Sequence, residues 1–230
     1  MPAAEETANG FAISTGDLCR VGLTRDATFH FYYEDNLRRL EQLWAELIPF
    51  APVSDSHLPA VDGLYFGGGY PELPVHALSS NEELKKEIAA FAQARGPVYA
   101  ECGGLMYLSS AIRTIHGLRY PMVGLIPGEA VMRDRLQALG YVEIETMEPS
   151  ILGAAGLQFR GHQFRYSELE GLPQSQECVY KMRQRRSGEI AREGYRKINV
   201  LATYVHAHWA SNPAVAAGFV ASCKTAARAA

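Results

Sequence analysis

One cysteine is bracketed in a way that few folds accept. An apolar run, Pro97-Val98-Tyr99-Ala100, leads through Glu101 to Cys102, and Gly103-Gly104 open the stretch Leu105-Met106-Tyr107-Leu108. The pattern reads as strand, sharp turn and helix, with the sulfur at the apex. Such a turn needs small residues behind the nucleophile, because the backbone doubles back there. A thiol at a helix N-terminus also feels the positive end of the helix dipole, which favours the reactive thiolate. The competing reading is a buried structural cysteine. That reading suits Cys19, Cys178 and Cys223, which lack this setting.

A second turn is built the same way. The apolar run Val61 to Phe66 ends in Gly67-Gly68-Gly69, followed by Tyr70-Pro71-Glu72. Three glycines give a loop whose N–H groups can approach a ligand closely. One of these N–H groups, with that of Gly103, would form an oxyanion hole. The plain alternative is a flexible turn. A dinucleotide fingerprint is excluded, because the G-x-G-x-x-G spacing is absent.

The third element is Leu201-Ala202-Thr203-Tyr204-Val205-His206-Ala207-His208-Trp209, a β-type run with histidines at i and i+2, which share one face of a strand. One of them could act as general base for Cys102. A metal pair is the rival reading, with His162 as its third ligand, but no characteristic ligand spacing supports it.

The rest of the chain alternates. Strands are expected at Cys19–Thr24, 47–53, 61–66 and 97–100, and helices at 36–46, at 82–94 behind an Asn81 cap, and from Pro213 to about 228. From Met122 to Tyr204 the pattern is β-rich, with runs at 142–146, 157–164 and 177–182. This implies an α/β fold: a largely parallel sheet with helices on both faces, extended by antiparallel strands. The basic run Lys181 to Arg186 reads as a hairpin tip. Residues 1–18 read as a flexible lead or linker and 19–230 as a single domain. The lead has no basic n-region or apolar h-region, so it is not a signal.

Composition narrows the function. The net charge of −3 gives no footprint for nucleic acid or an anionic membrane. Four scattered cysteines make no disulfide framework, and a reactive thiol suits a reducing cytoplasm. No apolar run is long enough to span a bilayer.

Taken together, these motifs resemble the glutaminase domain of cobyrinic acid a,c-diamide synthases, in the cobalamin-pathway branch of class I glutamine amidotransferases. The resemblance spans roughly residues 20 to 215. It rests on Arg25-Asp26, Phe31-Tyr32-Tyr33 and Asn36-Leu37; on Tyr65 to Glu72; on Glu101 to Leu108; on Leu136 to Tyr141; on Gly161-His162 with Tyr166-Ser167; and on Tyr204-Val205-His206. It implies a three-layer, flavodoxin-like mixed sheet, with Cys102 as nucleophile and His206 as base. Gly68 and Gly103 would supply the oxyanion donors, and Gly69 would lie beside the substrate. Other class I enzymes carry a Glu two residues after the catalytic His; here that position is His208, as in this branch. The family usually reads Gly-His-Glu-Phe-His-Tyr-Ser where this chain has Gly161-His162-Gln163-Phe164-Arg165-Tyr166-Ser167. His162, Gln163 and Arg165 are therefore the expected contacts to an acceptor or partner.

The resemblance also implies partners: glutamine, an ATP-dependent amidoligase domain or subunit, and a tetrapyrrole acceptor, with a homodimer left open. No metal or other cofactor is expected in this chain, and ATP and Mg belong on the synthetase. No G-x-x-x-x-G-K-[ST] exists here; the nearest match, Gly218 to Lys224-Thr225, has Cys223 in place of the second glycine. The expectation is a free-standing glutaminase subunit or a domain of a longer protein. Two other readings stay open: a silent amidotransferase-like binding module, and a cysteine hydrolase of another substrate on the same fold.

Overall fold

The computed structural model describes residues 18–229; the expected lead over 1–18 thus lies, apart from Leu18, outside the described residues. The first half alternates strands and helices: β1 (Cys19–Thr24), β2 (Phe29–Phe31), α1 (Glu34–Gln42), β3 (Ala45–Phe50), β4 (Gly63–Phe66), β5 (Gly68–Gly69), α2 (Val75–Ser80), α3 (Glu82–Gln93), β6 (Val98–Glu101) and α4 (Gly103–Leu108). The second half is mostly strand: β7 (Ser109–Arg113), β8 (Arg119–Pro121), β9 (Ile126–Met132), β10 (Ala138–Thr146), β11 (Gln158–Arg165), β12 (Ser167–Glu170), β13 (Glu177–Gln184), β14 (Ile190–Lys197), β15 (Val200–Thr203) and β16 (His206–His208), then a 3-10 turn (Trp209–Ser211) and α5 (Ala214–Ala229). No described helix is long and apolar enough to cross a membrane.

Ten strands form one sheet in the order β16-β11-β10-β13-β14-β15-β6-β4-β1-β3. From β15 to β3 neighbours are parallel; from β15 to β16 they are antiparallel. The antiparallel extension is thus as wide as the parallel half. A separate four-stranded sheet, β12-β9-β7-β8, lies outside the pattern read from sequence.

Strand periodicity sorts the apolar residues into two cores. Tyr65, Tyr99 and Leu201 face α1, the 3-10 turn and α5, where Leu40, Trp209, Val215 and Phe219 cover them. Leu64, Phe66, Val98 and Ala100 face α3 and α4, where Leu84, Ile88 and Leu105 cover them. Successive strand side chains point to opposite faces, so each strand of the parallel half feeds both layers.

Some boundaries move for local reasons. The first helix starts at Glu34, with Glu34 and Asp35 in its first turn, where carboxylates suit the dipole. It stops at Leu43 because Trp44 turns left-handed (φ 67°), so β3 begins earlier than expected. Asn81 caps α3, its side chain accepting from the Leu84 N–H at 3.4 Å. The basic run is divided: Lys181 and Arg183 lie within β13 and face Glu145 and Glu143, and only Arg185 and Arg186 reach the turn. The Gly218–Thr225 stretch lies inside α5.

The largest departure is the histidine run. It is not one strand. β15 ends at Thr203, the chain crosses through Tyr204-Val205, and β16 pairs with β11 at the far edge of the sheet. Asn36, fully buried, locks that crossing to α1: its Nδ2 donates to Ala207 O (2.8 Å), and its Oδ1 accepts from Trp209 N (2.9 Å). Leaving a buried polar group unpaired costs about 1–3 kcal/mol. Asn36→Ala strands two such groups. It should lower the unfolding free energy by about 2–5 kcal/mol, read as a shift in the urea midpoint at unchanged slope.

Candidate active site

Cys102 leaves β6 and becomes the N-cap of the six-residue α4, with φ 47° and ψ −101°. A non-glycine residue in this region is strained and persists only where its surroundings hold it. Three bonds do so here: Cys102 N donates to Thr203 O (2.7 Å), Met106 N to Cys102 O (3.1 Å), and Gly104 N to Gly67 O (3.0 Å). The two glycines are needed for contact. A Cβ at 104 would stand 2.6 Å from the Phe66 carbonyl oxygen, and one at 103 would stand 2.9 Å from that of Gly69.

The thiol itself departs from expectation. Cys102 is 7% exposed. Burial, then the carboxylate of Glu72, push its pKa up to about 12, while the Gly103 N–H and Arg165 pull the other way. From an ordinary 9.0 this rise is worth about 4 kcal/mol. A helix terminus supplies typically about 0.3–1 kcal/mol. Burial wins, and the resting sulfur is a thiol, not the thiolate the helix position implied.

The glycine turn is not a loose loop. Gly67 N donates to Tyr32 Oη (2.9 Å) and Thr24 Oγ1 (3.3 Å). Gly68 and Gly69 form β5, paired with β2. Gly69 has φ 151°, and a Cβ there would meet Thr28 O at 1.7 Å. The turn also touches both reactive residues: Gly69 backbone packs on Gly103, and a Cβ on Gly68 would fall 2.2 Å from His206 Cε1. The structure thus brings Gly68, Gly69, Gly103, Cys102 and His206 to one end of the parallel strands.

His206 is 4% exposed. Phe31 meets its ring edge-on (centroids 4.5 Å apart) and His162 stacks on it (4.8 Å, 18°). Burial, then His162, pull its pKa down to about 3, so the ring is neutral at neutral pH. His162, whose Nδ1 lies 2.6 Å from Tyr33 Oη, also has its pKa lowered by burial. His208 turns to the Tyr33 ring (4.6 Å). Among the described residues, no three His, Cys, Asp or Glu side chains are grouped so as to hold a metal ion.

The other proposed contacts separate. Gln163 is 2% exposed and faces the interior, near Gln184 Nε2 (3.5 Å), because β11 alternates: Phe159, Gly161 and Gln163 point inward, and Gln158, Arg160, His162 and Phe164 point outward. Its side chain thus presents almost no surface to a partner. Arg165 lies beneath the site, its guanidinium 4.6 Å over the Tyr204 ring and its Nη1 donating to Ser167 O (2.5 Å). The Phe164 carbonyl reaches the nucleophile, 3.9 Å from Cys102 Sγ.

Sequence reading gave no role to Glu101, Phe31, Tyr33 or Glu72, although all stand in the quoted motifs. For Glu101 a signal existed: a carboxylate at the end of an apolar strand is buried, and a buried carboxylate needs partners. It is 1% exposed and accepts from Tyr99 Oη (3.0 Å), Tyr65 Oη (3.1 Å) and Ala207 N (3.0 Å).

The chain is similar to proteins already known. Cobyrinate a,c-diamide synthase of Leptospira interrogans is 54% identical over 207 residues, covering 89% of this chain and 45% of that protein. The protein of that name from Limosilactobacillus reuteri is 44% identical, covering 84% and 43%. The chain spans about half the length of the curated relatives it matches. Among solved structures, PurLQS from Thermotoga maritima superposes with a TM-score of 0.64 at 13% identity, covering 89% of this chain and 98% of that one. A GMP synthase-like protein from Thermoplasma acidophilum gives 0.62 at 14%, covering 93% and 98%. Those likenesses establish the fold, a class I glutamine amidotransferase-like mixed sheet with helices on both faces. Residues 20–214 match the model of the CobB/CobQ-like glutamine amidotransferase domain, and the chain belongs to that family.

Proposed function

We propose that this chain is the glutaminase half of an ATP-dependent amidoligase, with Cys102 as nucleophile and His206 as base. The observation that carries this reading is the strained backbone of Cys102 at the end of β6, joined through the Gly68–Gly69 strand to a buried imidazole. Cys102 Sγ attacks the side-chain carboxamide carbon of glutamine, and its proton passes to His206. The Gly103 N–H, with one from the Gly68–Gly69 strand, takes the developing oxyanion. The C–N bond breaks as His206 protonates the leaving ammonia, and a thioester remains. His206 then accepts a proton from water, which attacks the thioester and releases glutamate. Substrate drives the first step: the resting pair is neutral on both sides, so the ion pair forms only where the amide and its N–H donors stabilise the product.

The ammonia is destined for a carboxylate activated by ATP and Mg on a synthetase half, and the names of the relatives point to cobyrinate as acceptor. We propose the outer face of the antiparallel half as that partner's seat. Leu139 and Phe164 are register partners there, as are Tyr141 with His162 and His162 with His206. Leu139 is 67% and Tyr141 70% exposed. Beside them, an open groove of about 830 Å³ is lined by Glu143, Arg160, Lys181 and Arg183. His162 joins this face to the base.

Three outcomes are expected. A glutamine-analogue electrophile should label Cys102 alone at neutral pH, mapped by peptide mass spectrometry. A plain alkylating reagent should instead take the partly exposed Cys178 first, and its rate at Cys102 should rise about tenfold per pH unit from 7 to 9. Fast plain alkylation of Cys102 at pH 7 would reveal a preformed thiolate and overturn the neutral resting state. In steady-state glutamate release, His206→Ala should be inactive while His208→Ala keeps most of the rate; equal loss in both would remove His206 as the base. The chain alone should be slow and should accelerate severalfold when a synthetase and its tetrapyrrole acceptor are added. A rate already maximal in isolation would favour an independent hydrolase.

A further inference from the structure

His206 presents a problem that a two-residue pair does not solve. Its Nδ1 is buried and has no hydrogen-bond partner among the described residues, a costly condition for a ring nitrogen. The group facing it is Glu101, with Oε2 3.9 Å from Nδ1 and the two side chains 1% and 5% exposed. The carboxylate's other contacts leave this direction open. Oε1 accepts from Tyr99 Oη and Ala207 N, whereas Oε2, among the described residues, accepts only from Tyr65 Oη. Position 208, two residues past the base, holds a histidine that turns to Tyr33, so no carboxylate arrives from there.

We propose that Glu101 is the positioning carboxylate of His206, accepting its Nδ1–H while Nε2 takes the proton from Cys102. The proposal rests on the reading of Cys102 and His206 as nucleophile and base. The proton leaves sulfur for Nε2, Nδ1–H stays on the ring and points to Glu101, and the Nε2 proton departs with ammonia. Glu101 gains and loses nothing; it fixes the tautomer and offsets the imidazolium charge. The gap of 3.9 Å is about an ångström longer than a hydrogen bond. Such contacts are often long before substrate binds and tighten afterwards. Nucleophile and positioning residue are then consecutive in the chain, and the strand that delivers one delivers the other.

The surroundings of Glu101 give the proposal a pH signature. On its own strand and the loop after it stand Tyr99 and Cys102, on β4 Tyr65, on β16 His206, ahead of α1 Tyr32 and Tyr33, and on β13 Tyr180. None is a cation at neutral pH. Burial holds the Glu101 pKa up, to about 8, against the pull of its three hydrogen bonds. Only the ionised carboxylate offsets the imidazolium charge that forms on His206, so turnover should rise as pH climbs through about 8.

The test is glutamate release by the full chain from pH 6 to 10, with melting curves for every variant. Glu101→Gln should lower kcat on the order of 10³-fold, leave KM for glutamine nearly unchanged, and lose the limb near pH 8. Glu101→Asp should recover part of the rate and keep the limb. If Glu101→Gln stays within about threefold of wild type while Cys102→Ser and His206→Ala are inactive, Glu101 has no such role and the nucleophile–base reading stands. If Cys102→Ser or His206→Ala keeps the wild-type rate, that reading itself fails. Should Glu101→Gln not fold, the wild-type chain still decides through the ¹⁵N resonances of His206. The proton is expected on Nδ1 above pH 8, and a proton fixed on Nε2 there would overturn the assignment.

Discussion

The site depends on the pairing of β6 with β15. These strands run parallel in register from Val98↔Val200 to Glu101↔Thr203, and the ladder continues one bond further, from Cys102 N to Thr203 O. Parallel strands end on the same side of a sheet, so the residues that follow them are delivered to one place. Cys102 follows one strand and His206 follows the other. The β15 strand of this seam is also the one at which the sheet changes from parallel to antiparallel, pairing with β6 on one side and β14 on the other.

Around this seam, backbone approach substitutes for side-chain contact. Gly103, Gly104, Gly68 and Gly69 sit where a Cβ would strike backbone atoms or the His206 ring. The glycines therefore act less as hinges than as clearances, and the turn they form is pinned by Tyr32, Thr24 and Gly104. The cost of the strained Cys102 backbone is of order 1–3 kcal/mol. It is met by neighbouring packing such as the fully buried Trp209 stacked on Tyr65, the kind of contact whose removal costs about 3–5 kcal/mol.

Burial sets the chemistry of the resting site. It raises the thiol, lowers the imidazole and raises the Glu101 carboxyl, each shift favouring the neutral form. Glu101 titrates with the sign opposite to His206. Its raised value gives stability that is present below the ordinary carboxylate range and lost as pH climbs through about 8. The lowered value of His206 gives stability that is present above the ordinary histidine range and lost as pH falls towards about 3. Both groups carry a folding penalty on their charged side, as expected where buried groups serve chemistry before stability.

Local physics made much of this legible in the sequence. The strand–Cys–Gly-Gly order gives the turn at Cys102, Asn81 caps its helix, and the Ala-rich segment past Pro213 is helical, because each depends on residues a few positions apart. The family, too, was readable from the order of its motifs. Tertiary structure alone decided three further matters. It split the histidine run between opposite regions of the sheet, since Ala207 and Trp209 are held by Asn36, far away in the chain. It turned Gln163 inward and left His162 facing the base, because register on β11 is set by β10 and β16. And it placed Glu101 against Nδ1 of His206 while burying the thiol. Charge state and orientation depend on what surrounds a group in space, and spacing along the chain does not carry that information.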